Sequence, residues 1–239
     1  MYKQLAVATA LLAATAAQAV VITQWNFNST PGDNSTATGN LTPNIGAGTA
    51  SLVGGTTGTF ATGAGSTDPA ATDDSGRQTT AYAAQGADDK TRGAQFTVDT
   101  TGFNNVVLSW DQRFSNTSSK HGVVQYTVNG VNYLDTPTSS LYLTAAGDTW
   151  LNNLSYDFSA VAGASDNPLF GLRMVSTFRP STSAYDPANP VSTYGSAGTW
   201  RFDMVTINGT AIPPIPEPGI YALLLAGLGV VGFVARRRG

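Results

Sequence analysis

Short runs of alternating apolar and polar residues constrain this chain most. Seven such runs, rich in Val, Phe, Tyr, Trp and Thr, occur at 22–29, 93–100, 105–115, 123–134, 150–159, 168–178 and 198–209. Gly, Asn, Asp and Pro separate them, and helical periodicity is almost absent between Val20 and Pro214. The pattern predicts an all-β fold, a single antiparallel β-sandwich of jelly-roll type. No repeat of 20–50 residues is visible in the sequence, which argues against a solenoid or propeller.

One of these runs contains a strong turn signal. Asn129-Gly130 lies between two alternating arms. Both central residues of a type I′ turn need positive φ, which Asn and Gly adopt most readily. The sequence therefore predicts a tight two-residue hairpin within 123–134.

The segment 30–89 differs in composition from the rest. Gly, Thr, Ser and Ala dominate it, with few large apolar side chains. Composition alone allows a disordered linker. The alternative is a set of long loops and thin edge strands wrapped on the sandwich, with 41–55 supplying one strand.

The N-terminus has the layout of a secretory signal peptide. Lys3 precedes an apolar core at 5–17, and Ala17-Gln18-Ala19 fits the small-x-small cleavage pattern. We expect 1–19 to form a signal helix that signal peptidase removes after Ala19. The sandwich domain then spans 20–212. Because the chain has no cysteine, its stability must come from the core and from any bound cation.

Charge excludes one class of partner. Of 12 basic residues, Lys3 and Arg236, Arg237 and Arg238 lie in the two ends, which leaves eight in the body. Of 15 acidic residues only Glu217 lies in an end, which leaves fourteen, all Asp. A body with a net charge of about −6 is unsuited to binding nucleic acid, which needs clustered Lys and Arg.

The tail at 213–239 is unlike the body. An apolar run at 220–235 would form a helix about 24 Å long, slightly short of the ~30 Å bilayer core. Arg236, Arg237 and Arg238 follow it, and such a cluster stays on the cytoplasmic side of a membrane. The sequence predicts a C-terminal transmembrane helix that leaves the body on the far side.

The tail also carries a family resemblance. Pro216-Glu217-Pro218, a short apolar span and a closing Arg cluster resemble the PEP-CTERM sorting signal. The resemblance implies that a membrane enzyme, exosortase, cuts near Pro216, Glu217 and Pro218 after export across the inner membrane of a Gram-negative bacterium. The body would be anchored transiently and then reach the cell surface or the exopolysaccharide of a biofilm. Four of its segments (24–29, 106–120, 156–178 and 198–209) resemble a recurrent secreted bacterial β-sandwich.

Catalytic residue types are sparse. His121 is the only histidine, in a turn-like stretch that predicts a surface loop. Glycoside hydrolysis by paired carboxylates would have to use Asp alone, because the body has no Glu. The candidates are Asp111, Asp135, Asp148, Asp157 and Asp203. We expect no enzymatic activity, and a secreted hydrolase is only the third hypothesis.

A cation site is the better site hypothesis. Alternation places Trp200, Phe202 and Met204 on one face and Asp203 on the other. Asn26 and Asn28 on the first strand could add oxygens to a structural Ca²⁺, which accepts mixed oxygen ligands. A plain hydrogen-bonded Arg201–Asp203 or Asn–Asp pair is the alternative. The acidic loops at 68–74 and 87–90 are predicted to be solvated.

Sugar binding would use exposed aromatic rings. The candidates are Tyr142, Trp150, Tyr156, Tyr185 and Tyr194, of which Trp150 and Tyr194 are the predicted ligand contacts. Trp25, Trp110 and Trp200 are predicted to fill the core. The leading hypothesis is a structural or adhesive surface protein, and a jelly-roll carbohydrate-binding module is the alternative.

Overall fold

The computed structural model describes residues 18–137, 141–214 and 218–238. These ranges contain twelve strands and one helix. They are β1 (Ala19–Trp25), β2 (Thr49–Val53), β3 (Thr57–Thr62), β4 (Ser75–Thr80), β5 (Gly93–Val98), β6 (Phe103–Phe114), β7 (His121–Thr127), β8 (Leu134–Asp135), β9 (Leu141–Leu143), β10 (Thr149–Asp157), β11 (Phe170–Ser176), β12 (Trp200–Ala211) and α1 (Pro218–Arg237).

The strands form two antiparallel sheets. Sheet A has the order β10-β6-β12-β4-β3, and β1 also pairs with β12. Sheet B has the order β2-β5-β11-β7-β8, and β9 also pairs with β7. The predicted all-β sandwich is confirmed.

Strand β12 is the centre of sheet A. It pairs with β6 on one side and, on the other, first with β4 and then with β1. The change of partner falls between Phe202 and Val205. A β-bulge follows Asp203 there, and Met204 takes a positive φ of 48°. Bulges of this kind redirect side chains and recur beside functional sites.

The core lies between the two sheets and is rich in aromatic residues. Trp25, Trp110 and Trp200 are at most 2% exposed, as predicted. Trp25 packs on Phe96 of sheet B with ring centroids 5.0 Å apart. Alternating strand residues point to one face, so the apolar half of each run meets the opposite sheet.

The predicted two-residue hairpin at Asn129-Gly130 is wrong. Pairing of β7 with β8 begins only at Tyr126 and Leu134, so a longer loop joins them. Gly130 has a positive φ, but Asn129 does not. The Asn129 Oδ1 instead accepts bonds from the backbone N–H groups of Val131 and Asn132. Such a side-chain-to-backbone turn competes with the type I′ geometry.

Segment 30–89 follows the loop-and-edge-strand interpretation. It contributes β2 to the edge of sheet B and β3 and β4 to sheet A, and β2 lies within the predicted 41–55. Its loops are tied together by their own polar side chains. The Asp73 carboxylate, for example, accepts the backbone N–H groups of Asp33 and Ser35.

The two ends are described only in part. Residues 1–17 of the predicted signal helix at 1–19 lie outside the described residues, and Ala19 is the first residue of β1, opposite Thr210. Pro216 and Glu217 also lie outside them, whereas Pro218 begins α1. Within the described ranges, no helix combines the length and apolar character needed to cross a membrane. The predicted transmembrane helix is not confirmed.

Candidate metal centre

The loop that joins β3 to β4, residues 63–74, lies across the outer face of sheet A. Strand β10 holds it through two bonds, from Trp150 Nε1 to the Ala64 carbonyl and from Asn152 Nδ2 to the Gly65 carbonyl, both 2.9 Å long. Strand β12 holds it through the Ser66 hydroxyl, which donates to Asp203 Oδ2 at 2.8 Å. The 63–74 loop is therefore fixed to strands on both sides of β6.

Two bulges flank the point where this loop docks. One lies in β12 beside Asp203, and the other lies in β10 between Leu151 and Leu154. Between them, the buried Asp111 of β6 accepts bonds from the Thr67 N–H, the Thr67 hydroxyl and the Asn153 N–H at 2.5, 2.6 and 2.7 Å. Asp111 therefore anchors the loop.

Three carboxylates meet beneath the 63–74 loop. Asp68 and Asp74 come from the loop and Asp203 from the bulge of β12, and one oxygen of each lies within 4.8 Å of the others. Asp203 is fully buried, and the other two are partly exposed. No Lys or Arg forms an ion pair with any of the three within the described part of the chain. The cluster thus concentrates negative charge without a basic partner.

The electrostatics of the cluster favour a proton or a cation. The pKa of Asp203 is raised to about 8, chiefly by burial; the charges of Asp68 and Asp74 add to the rise, and hydrogen bonds from Ser66 and Met204 oppose it. Burial also raises the pKa of Asp74, and the charge of Asp68 adds to the effect. A buried carboxylate is costly to ionise unless a positive charge compensates it.

Arg201 does not supply that charge directly. Its guanidinium donates to the Thr62 carbonyl and to Gln78 Oε1, each at 2.6 Å. It forms no ion pair with Asp203 although the two residues are near in sequence. The Arg201–Asp203 pair, one form of the alternative to a cation site, is therefore not formed.

Two observations indicate that the cluster fits an ion. Asp74 Oδ1 is a buried atom with no hydrogen-bond partner. A Cβ built on Gly63 would meet this oxygen and would lie 2.6 Å from Asp203 Oδ2, so only glycine leaves the space free. Ca²⁺ binds oxygen at 2.3–2.6 Å, which puts opposite ligands about 5 Å apart. The separations in the cluster are compatible with this geometry.

The structure brings together only some of the predicted metal ligands. Asp203 lies at the centre of the cluster, and Asn28 lies beside it with Nδ2 bonded to Asp68 Oδ2 at 2.8 Å. The side-chain oxygen Oδ1 of Asn28 accepts the Ser75 N–H, so Asn28 positions Asp68. Asn26 does not belong to the carboxylate cluster, because its side-chain Oδ1 accepts the Asn28 N–H.

Sequence reasoning missed Asp68 and Asp74. They lie in an acidic loop that was predicted to be solvated, and alternation gives no information on the path of a loop. The available signal was their position just before β4, the strand that pairs with β12.

The predicted sugar contacts have other surroundings. Trp150 is half-buried and holds the 63–74 loop at Ala64. Tyr194 is buried in a small second core with Ala83 and Tyr185, stacked on Tyr185 at 4.8 Å, and its hydroxyl donates to the Ala83 carbonyl. The expectation that Tyr185 and Tyr194 are exposed was wrong, because the long loop containing them folds back on 83–89.

His121 is also placed differently from its prediction. It begins β7 and is buried, with Nε2 3.5 Å from Asp186 Oδ2. Burial lowers the pKa of the imidazole, and Asp186 opposes this. The nearby Ser119 hydroxyl donates to the His121 carbonyl and not to its ring. The arrangement anchors a strand end, and the surface-loop prediction was wrong.

The fold and this cluster define a two-sheet β-sandwich with a candidate cation centre, followed by a separate C-terminal helix. Residues 214–238 match the PEP-CTERM protein-sorting motif. No curated protein matches the sequence.

Several solved structures match the chain at low similarity. The CBM22-1 xylan-binding domain of Paenibacillus barcinonensis Xyn10C is 13% identical, with a TM-score of 0.47 over 84% of this chain and 100% of that one. The N-terminal CBM22-1-CBM22-2 tandem domain of the same protein is 14% identical, with a TM-score of 0.47 over 87% of this chain and 50% of that one. The CBM22-1-GH10 modules of Clostridium thermocellum Xyn10B, complexed with xylohexaose, are 13% identical, with a TM-score of 0.42. The match covers 70% of this chain and 27% of that one.

Proposed function

We propose that the protein is exported and sorted to the cell surface or extracellular matrix by exosortase, where it has a structural or adhesive role. The match of 214–238 to the PEP-CTERM motif carries this proposal. Cleavage near Pro216, Glu217 and Pro218 separates the body from its tail. The host is then a Gram-negative bacterium that makes an exopolysaccharide.

The position of the cut suits this role. The last strand ends at Ala211, so cleavage at 216–218 removes no residue of either sheet. Apolar side chains of α1 such as Leu223, Leu228 and Phe233 are each more than 60% exposed, so the described helix contributes little to the core. The body can therefore lose the tail and keep its packing.

Intact mass of the protein from cells with and without exosortase tests the sorting. We expect a wild-type mass that ends near 216–218, and a mass that includes Arg236, Arg237 and Arg238 when exosortase is deleted. A Glu217→Ala variant should be cut less, whereas the distant Thr42→Ala variant should be cut normally. A mature protein that keeps the three arginines in wild-type cells would contradict the proposal.

We further propose that Asp68, Asp74 and Asp203 bind a structural Ca²⁺. The unpartnered Asp74 Oδ1 in a cluster of three carboxylates without a basic partner supports this. When bound, the ion supplies positive charge that compensates the buried Asp203. The three residues would then join the 63–74 loop to β12 at the seam between β4 and β1.

Calorimetric titration of the full chain, first treated with EDTA, tests the ion. We expect one Ca²⁺ per chain, and its loss in Asp74→Asn. Asp157→Asn is the matched control, because Asp157 is an exposed residue of sheet A outside the cluster. Absence of heat and of a melting-temperature change with both Ca²⁺ and Mg²⁺ would refute the cation site and leave the sorting proposal intact.

A further inference from the structure

The outer face of sheet B carries an unbroken row of polar side chains. One residue from each of five strands contributes, in the order Ser51, Gln95, Arg173, Gln125 and Asp135. Each is directly opposite the next in the strand pairing. Adjacent strands lie about 4.8 Å apart, so the row spans roughly 19 Å.

These side chains point away from the core. Their sequence neighbours Phe96, Leu172, Met174 and Val124 are buried between the sheets. Gln95, Arg173 and Gln125 are partly exposed, and Ser51 and Asp135 are exposed. Alternation therefore places an accessible polar row on the surface of sheet B.

Contacts within the row orient its groups and leave others available. Arg173 Nε donates to Gln95 Oε1 at 2.7 Å, and its guanidinium carbon lies 3.5 Å from the centre of the Tyr133 ring. Gln125 Nε2 donates to Asp135 Oδ1 at 3.1 Å. Within the described part of the chain, the side-chain atoms Gln95 Nε2 and Gln125 Oε1 form no hydrogen bond. The row thus offers both a donor and an acceptor in fixed positions.

The balance of charge along the row selects the class of ligand. Lys90 Nζ lies 2.6 Å from Asp135 Oδ2, so these two charges compensate each other. Arg173 is then the one cation of the row that no carboxylate compensates, and its guanidinium packs against the Tyr133 ring. A phosphate backbone requires several clustered cations. Sugar hydroxyls, which donate and accept, match a nearly neutral row of amides better.

One end of the row opens into a cleft. The cleft has a volume of about 350 Å³, and Lys90, Asp135, Leu141, Phe178 and Arg179 are among its lining residues. Asp135 belongs to both the row and the cleft. A linear chain that lies along the row would continue into this cleft.

We propose that the Ser51–Asp135 row binds a neutral, extended polysaccharide chain that runs across the strands of sheet B. The site shares no residue with the cation cluster or the sorting tail, so it stands or fails independently of both. It differs from the sequence-predicted contacts at Trp150 and Tyr194.

Native affinity electrophoresis of the full chain tests this site. The gels contain hydroxyethylcellulose as the extended neutral probe, dextran as a flexible neutral probe, or alginate as an anionic probe. We expect retardation by hydroxyethylcellulose, and at least a tenfold weaker association for both Arg173→Ala and Gln125→Ala. Arg77→Ala is the matched control on sheet A, where Arg77 lies over the Phe60 ring, and it should be retarded like the wild type.

Three results would overturn the proposal. They are the absence of retardation by hydroxyethylcellulose, equal retardation of the wild type and both row variants, and retardation by alginate alone that disappears in salt. Gln125→Ala removes no charge, so its loss of binding distinguishes the polar row from simple attraction to Arg173. Unchanged melting temperatures of the variants show that the fold is retained.

Discussion

The outer faces of the two sheets show how one architecture produces two kinds of surface. On sheet A, the 63–74 loop covers the strands and buries Asp111 and Asp203 against them. On sheet B, every residue of the row from Ser51 to Asp135 is at least partly exposed, although the Tyr133 ring packs on Arg173. Covered carboxylates need a compensating charge, whereas accessible amides are free to bind a ligand.

The difference arises from one connection. The loop between β3 and β4 is long enough to cross β12 and reach β10, and two bulges receive it. We therefore propose a stabilising element on sheet A and a ligand-binding element on sheet B. Four predictions test this division.

The largest effect is expected at Gly63. In Gly63→Ala the new methyl group displaces the Asp74 and Asp203 oxygens, so Ca²⁺ binding is lost. An ion at a hundredfold its Kd contributes about 2.7 kcal/mol, so we expect the melting temperature in Ca²⁺ to fall by about 5–10 °C. Gly195→Ala is the control, because a Cβ there meets nothing within 4 Å. Normal Ca²⁺ binding by Gly63→Ala would argue against the site.

The next effect is a pH dependence of the cation-free protein. The folded state keeps a proton on Asp203 up to its pKa of about 8, whereas the unfolded chain releases it near pH 4. The folded state thus binds more protons between these values, so the free energy of unfolding in EDTA should fall as pH rises from 4 to 8. Urea titrations should show this fall, and Asp203→Asn should reduce it. Because the lowered pKa of His121 contributes the opposite slope, the decisive comparison is with the variant: identical pH profiles for the wild type and Asp203→Asn would be incompatible with the buried acid.

A smaller effect is expected at Trp150. Trp150→Phe removes the N–H that donates to the Ala64 carbonyl and should cost about 1 kcal/mol of unfolding free energy. Trp150→Ala also removes the ring against Gly65 and should cost more. Both variants should weaken Ca²⁺ binding severalfold in titration, because the loop carries two ligands. Unchanged Ca²⁺ affinity in both variants would mean that anchoring of the 63–74 loop does not affect Ca²⁺ binding.

The smallest stability effect is expected on sheet B. Arg173→Ala removes a partly exposed side chain and should change the unfolding free energy by less than about 0.5 kcal/mol. Urea unfolding beside the wild type measures this change. A loss comparable to that of Trp150→Ala would mean that the row stabilises the fold, which would break the contrast between the faces.

Sequence patterns predicted most of the long strands and the tryptophan core, but not β3, β4 or β9, and only Asp203 of the three clustered carboxylates. Alternation placed Asp203 opposite Phe202 because strand geometry is local. Asp68 and Asp74 escaped prediction because their position depends on how a loop crosses strands far away in sequence. Tyr194 was misplaced for the same reason, since the loop that buries it has no periodicity.

The polar row on sheet B could not be predicted from the sequence either. Its members are separated by tens of residues and become neighbours only through strand register. Each is an ordinary polar position of its own strand. Only the pairing of Gln95 with Arg173, and of Arg173 with Gln125, makes them a surface.

The place of β12 in sheet A also sets the order of events during export. The last strand of the chain is the central one, and it pairs with the first strand across 182 residues, as between Gln24 and Thr206. Sheet A cannot close before 200–211 has emerged, and so distant a pairing is slow to form. On the proposed export route, a chain that crosses the membrane N-terminus first would do so before sheet A is complete. Its body would become complete only once 200–211, the segment just before the sorting motif, has followed.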